Sequence, residues 1–177
     1  MNNRDIRWLL VALANLLLLW LAGLLNHYLA PFAVHVYVMG MCVGYAALRL
    51  DYRHGFLATV VTGLAFDAMQ PVPYGTHVVL LGLVHATLLY GRKRFPRDEP
   101  IFASVVALLA NLFLFLALSF VVISANPRPG EAWLRLFVDL LASQLVVGLA
   151  TPWFMALNAR VLELARLNPE TGRRVEL

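Results

Sequence analysis

The stretch Gly63-Leu64-Ala65-Phe66-Asp67-Ala68-Met69-Gln70-Pro71-Val72-Pro73-Tyr74-Gly75 sets a carboxylate inside an apolar helix, a few residues ahead of a Pro-x-Pro turn. An ionised Asp at membrane depth costs about 2.5–3.5 kcal/mol on insertion scales, so such a group faces protein or a water-filled cavity. The reading of Asp67 therefore depends on whether the rest of the chain lies in a membrane. Composition says that it does. Hydrophobic residues make up 61% of the chain and charged residues only 14%, against about 25% charged in a soluble domain. The mean hydropathy is +0.74.

The apolar residues fall in long runs, without strand alternation or a heptad pattern. With about 20 residues needed for each transmembrane helix, these runs predict an all-α bundle of six spans. They lie at residues 8–25, 32–50, 55–70, 75–91, 101–124 and 133–157, followed by a tail at 158–177. The third is short, and Pro71 and Pro73 set its outer limit. Helices consume nearly all of residues 1–177, so one integral membrane domain is expected and no soluble catalytic or recognition domain.

Breakers fall where spans should end: around 26–31, 70–74 and 126–130. Proline lacks an N–H and glycine loses more backbone freedom on folding, so both collect at helix ends. Most of the Trp and Tyr residues lie near these ends too, as amphipathic rings do at a membrane interface. The basic residues give the orientation. Arg4, Arg7, Arg49, Arg53, Arg92, Lys93, Arg94, Arg97, Arg160, Arg166, Arg173 and Arg174 account for twelve of the fourteen Lys and Arg, all on alternate connections. By the positive-inside rule both termini are cytoplasmic. The pI near 9.6 follows from this asymmetry and is no sign of nucleic-acid binding. Membrane lipids are the expected surroundings, and orientation alone explains the run at Arg92–Arg94, though such a run also suits anionic head groups.

The N-terminal apolar core outruns the h-region of a signal peptide, about 7–15 residues, so it reads as a retained first helix. Cys42 is the single cysteine, which excludes an intramolecular disulfide and a cysteine zinc site. Gly40 and Gly44 form a G-x-x-x-G in the second span, a flat groove that lets another backbone approach. Packing within the bundle is the plain reading of it; docking of a partner helix is the sharper one.

Asn15, His85, Asn111 and Gln144 fall near the middles of their spans and suit interhelical hydrogen bonds, worth about 0.6 kcal/mol each on average in membranes. Asp67 and Asp139 differ because they can carry charge. Both fall within about 5–9 Å of the outer boundary at 1.5 Å rise per residue, and His77 is near that side as well. A cluster of Asp67, His77 and Asp139 has donors suited to a metal or a proton, yet no H-x-x-x-H or H-E-x-x-H spacing occurs. The plainer expectation is structural: Asp67 accepts bonds from backbone N–H groups of the following turn, beside the N-terminus of the fourth span, where a carboxylate is favoured. No G-x-S-x-G elbow and no phosphate-binding G-x-x-x-x-G-K-[ST] loop is present. No catalytic residue, metal ligand or cofactor is expected, and the chain does not read as an enzyme.

Gly63-Leu64-x-x-Asp67, followed by the turn and Gly75, resembles the signature region of MreD, the rod shape-determining membrane protein family. The resemblance covers the whole chain in length, span number and the place of the acidic motif. It implies a bundle similar to the substrate-binding components of energy-coupling-factor vitamin transporters, in the bacterial inner membrane. It implies a non-enzymatic organiser of cell elongation that binds the bitopic protein MreC. Contacts with RodA, a class B penicillin-binding protein and MreB, direct or indirect, would help position peptidoglycan synthesis and set cell shape. Gly63, Asp67, Pro73 and Gly75 are the matching motif positions. The alternative is the small-molecule-binding component of such a transporter. Against it, Ala12, Ala14 and Ala22 do not form the A-x-x-x-A that commonly docks on the coupling subunit. A third reading is an ion or proton carrier built on Asp67 and Asp139. The tail is least legible, with Val161, Leu164, Ala165 and Leu167 offering one face of a short surface helix.

Overall fold

The computed structural model describes residues 6–92, 100–124 and 129–167. All regular structure among them is helical: α1 (Arg7–Leu29) and a 3-10 turn (Ala30–Phe32), then α2 (Met39–Arg49), α3 (Tyr52–Met69), α4 (Thr76–Gly91), α5 (Pro100–Ser124) and α6 (Pro129–Leu164). Three stretches are long and apolar enough to cross a membrane: Arg7–Phe32, Ile101–Val121 and Trp133–Leu164. Thr76–Gly91 is apolar but shorter.

Polarity is distributed inside out relative to a soluble domain. Asn15, Thr59, Thr62, Asp67, His77, His85, Asn111, Asp139 and Ser143 are buried, while Leu13, Trp20, Phe113, Leu145, Leu149 and Trp153 stand on the surface. In water, an apolar exterior this broad would drive association; in lipid it is the low-energy arrangement. The chain is a membrane protein.

The shortest helix is the centre of the bundle. Every residue of α2 from Met39 to Leu48 is buried, and α2 packs against α3, α4, α5 and α6. Glycine makes this crowding possible. A Cβ built on Gly40 would lie 2.5 Å from the Asn111 amide nitrogen and strike the Ala107 carbonyl, both on α5. On Gly44 it would stand 3.3 Å from Met155 of α6. The G-x-x-x-G face is thus turned inward, and the partner-docking reading of Gly40 and Gly44 is corrected. Asn15 of α1 ties the inner helices together, its amide donating to Cys42 O at 3.3 Å and to Thr62 Oγ1 at 2.9 Å. At the other end of α2 the Arg92 guanidinium bonds Leu50 O at 2.6 Å and Ala47 O at 3.4 Å, where a cation meets the negative end of the helix dipole.

The second predicted span needs the largest correction. Residues 33–38 are not helical, and helix begins only at Met39. Ala33 turns the chain in the left-handed conformation, φ 54°, and Val34-His35-Val36-Tyr37-Val38 follow. The reason lies in the residue types: β-branched side chains lose rotamer freedom in a helix and suit a pleated conformation. The other helices exceed or match their predicted extents. Pro129 and Gly130, expected in a connection, already belong to α6, and proline is suited to a first helical turn; residues 126–128 of that connection lie outside the described residues.

The expected surface helix of the tail is instead the end of α6. It closes on Arg166 at φ 54°, with Leu167 N donating to Leu162 O and Arg166 N to Glu163 O, both at 2.9 Å. That pair of bonds is the Schellman closure. Leu162 and Leu167 belong to the apolar cluster that also holds Trp8, Val11 and Tyr45, whereas Leu164 is exposed. Arg173 and Arg174, like Lys93, Arg94 and Arg97, lie outside the described residues.

Candidate functional site

Two polar joints lie within the bundle, and each is built around a buried aspartate. The first is the α3–α4 turn. Asp67 sits in the last turn of α3, with Phe66 and Gly63 on the same buried side. Its Oδ2 accepts the Gly75 N–H at 2.9 Å, and its Oδ1 accepts the His77 N–H at 2.9 Å and His77 Nδ1 at 2.8 Å. Since an ionised carboxylate only accepts, the His77 proton is on Nδ1. The ring stacks on Phe66 with centroids 5.3 Å apart.

The geometry explains why these residue types are needed. Gly75 is the N-cap of α4 and has φ +96°, a region open to glycine at little cost. Glycine, however, brings no side chain to cap the helix. Asp67 supplies that cap from the preceding helix: the His77 amide is the N2 donor that an N-cap oxygen normally accepts, and the carboxylate lies at the positive end of α4. Pro73 contributes its carbonyl, which accepts the Thr76 N–H at 3.1 Å and the Thr76 hydroxyl at 2.6 Å. One turn down the interface a Cβ on Gly63 would lie 2.8 Å from Val78 Cα, so only glycine lets α3 and α4 approach there. Gly63, Asp67, Pro73, Gly75 and His77 therefore belong to one joint. Its carboxylate accepts three local donors, and such bonds to a charged group contribute about 1.5–3 kcal/mol each.

Asp139 stands elsewhere. It lies on α6 and accepts the His35 N–H at 2.7 Å, so the grouping of Asp67, His77 and Asp139 considered from the sequence is corrected to a pair and a separate residue. Among the described residues no three His, Cys, Asp or Glu side chains come together as a metal site.

Asp139 belongs to the second joint, which holds residues 33–38. The non-helical backbone there is tied by side chains from α1 and α6, and the first turn of α2 that follows it by one from α5. Asn26 of α1 accepts Val36 N–H at 2.7 Å and donates to Val36 O at 3.0 Å. Ser143 of α6 accepts Tyr37 N–H at 2.9 Å, and Asn111 of α5 accepts Gly40 N–H at 3.1 Å. His35, Tyr37 and Phe115 form a chain of edge-to-face rings, with centroids 4.9 Å and 5.4 Å apart. Buried irregular backbone needs hydrogen-bond partners outside itself, and these side chains supply them to the N–H groups of His35, Val36 and Tyr37 and to the Val36 C=O.

Sequence reading singled out Asn111 and Asp139 as buried polar groups but missed Asn26 and Ser143. The available signal was the alternation Val34-His35-Val36-Tyr37-Val38, a period-2 pattern inside an apolar run. Comparison with protein-family models, with curated proteins and with solved structures found no match.

Proposed function

We propose that this protein is a non-enzymatic scaffold of the MreD kind: six helices crossing the bacterial inner membrane, both termini cytoplasmic, binding MreC and so helping to position peptidoglycan synthases. The observation that carries this reading is the fate of the motif. Gly63, Asp67, Pro73 and Gly75 meet in one joint, where the carboxylate is spent on the backbone of the next helix. A motif so used maintains a shape, and a maintained shape is what a scaffold offers.

Six crossings are supported by lengths. At 1.5 Å per residue, α3 is about 27 Å long and α4 about 24 Å, against a hydrocarbon core of about 30 Å. The eleven residues of α2 give about 16 Å, and the four residues 34–37, near 3.3 Å each, add about 13 Å. Residues 33–49 thus have the reach of a span although less than two thirds of it is helix.

The test is co-expression with tagged MreC and purification in mild detergent. Retention of this protein through size exclusion is expected; a folded protein that never elutes with MreC overturns the proposal. One observation favours the second reading, a small-molecule component of an energy-coupling-factor-type transporter. Unwound backbone within a membrane bundle often marks a ligand site, and residues 33–38 are unwound. A consistent thermal shift with one vitamin from a panel would favour the transporter.

A further inference from the structure

The hydrogen bonds of residues 35–37 alternate as in a strand. Val36 sends both its N–H and its C=O to Asn26 of α1. His35 and Tyr37 send their N–H groups the other way, to Asp139 and Ser143 of α6. In such an alternation a residue's C=O lies on the same edge as its N–H. By that rule we infer that the carbonyls of His35 and Tyr37 follow their N–H groups to the α6-facing edge, toward the Asp139 carboxylate and the Ser143 hydroxyl.

Among the described residues neither carbonyl has a donor, and Asp139 Oδ2 has none either. Ser143 uses its own proton on Asp139 O, at 2.6 Å. Four oxygens thus share one edge with a single negative charge on a residue that is 4% exposed. Arg135, one turn along α6, is at the exposed surface. A buried carboxylate is costly unless paired, and oxygen donors of this kind suit hard cations. One charge calls for one charge.

The geometry points to a monovalent-cation site between residues 35–37 and α6, with Asp139 as the charged ligand, the His35 and Tyr37 carbonyls as neutral ligands and Ser143 as a further oxygen. The ion would pin the unwound backbone to α6. Na+ and a primary ammonium share the required chemistry, and the inference stands whether or not the scaffold reading does.

The test is the thermal stability of the full chain in detergent at constant ionic strength, with Na+, methylammonium or N-methyl-D-glucamine as the cation. A saturable rise of a few degrees with Na+ is expected, absent in Asp139→Asn and weakened in Ser143→Ala. The second variant keeps the Asp139 charge and loses a single neutral hydroxyl, so the result is readable even if the first misfolds. A rise with methylammonium but not with Na+ supports the site with an ammonium as its natural occupant. Equal stability of the wild type in all three cations overturns it, as does a Na+ effect undiminished in both variants.

Discussion

The Asp67 carboxylate and the His77 imidazole lie 2.8 Å apart, with their side chains 0% and 1% exposed. They sit on different helices, and the same carboxylate holds the backbone of His77 and of Gly75. The pair fastens α3 to α4 and caps α4 in one arrangement. Asparagine at 67 cannot reproduce it, because its NH2 must face either the Gly75 amide or the two His77 donors. Asp67→Asn is expected to destabilise by about 1–3 kcal/mol, the range for a buried donor left unmade. Thermal unfolding in detergent checks this; unchanged stability would remove the carboxylate from its capping role.

The glycines separate by surroundings. Gly40 has α5 backbone against it, whereas nothing lies within 4 Å of a Cβ built on Gly82. Gly40→Ala is expected to abolish the monodisperse peak in size exclusion. Gly82→Ala should raise stability by about 0.5–1 kcal/mol through lost unfolded-state freedom and better helix propensity. Equal behaviour of the two variants would contradict the central placement of α2.

Asn26 makes two bonds to one residue. Asn26→Ala strips both from Val36 and should lower stability by about 2 kcal/mol, within the range for partly buried backbone groups. Hydrogen exchange is the sharper readout. Faster exchange at Val36 with unchanged exchange in α3 is expected, and uniform protection along residues 33–38 would show that α1 does not hold them.

Arg166 occupies the glycine position of a Schellman closure, at φ 54°. A left-handed conformation costs a non-glycine residue about 1–2 kcal/mol, so Arg166→Gly is expected to stabilise by about 1 kcal/mol. Differential scanning fluorimetry would register the rise. A fall would mean that the side chain does more than end α6.

The membrane character and nearly all helix positions were legible because apolar length is a direct physical requirement of the bilayer. Asp67 was legible for the same reason: a charge in such a run needs partners, and proximity along the chain made the following turn the nearest supply of N–H groups. Asp139 was visible as a charge but not as a partner of His35, since 104 residues separate them and no local pattern encodes that distance. The unwound entry to α2 was hidden by composition. Residues 32–38 are nearly as apolar as a helix, and only their alternation of valine with His35 and Tyr37 distinguishes them. Gly40 and Gly44 declared close packing, but which helix they meet depends on the whole fold.

The most direct measurement concerns the two ends of α3. In a Cys42→Ala background, single cysteines at Tyr52 and Tyr74, both exposed, are probed in intact cells with a membrane-impermeant maleimide. A chain that crosses with every helix and keeps both termini inside should label at 74 from outside, and at 52 only after permeabilisation. Labelling of both from the same side would mean that α3 does not cross, and the six-span scaffold would fall with it.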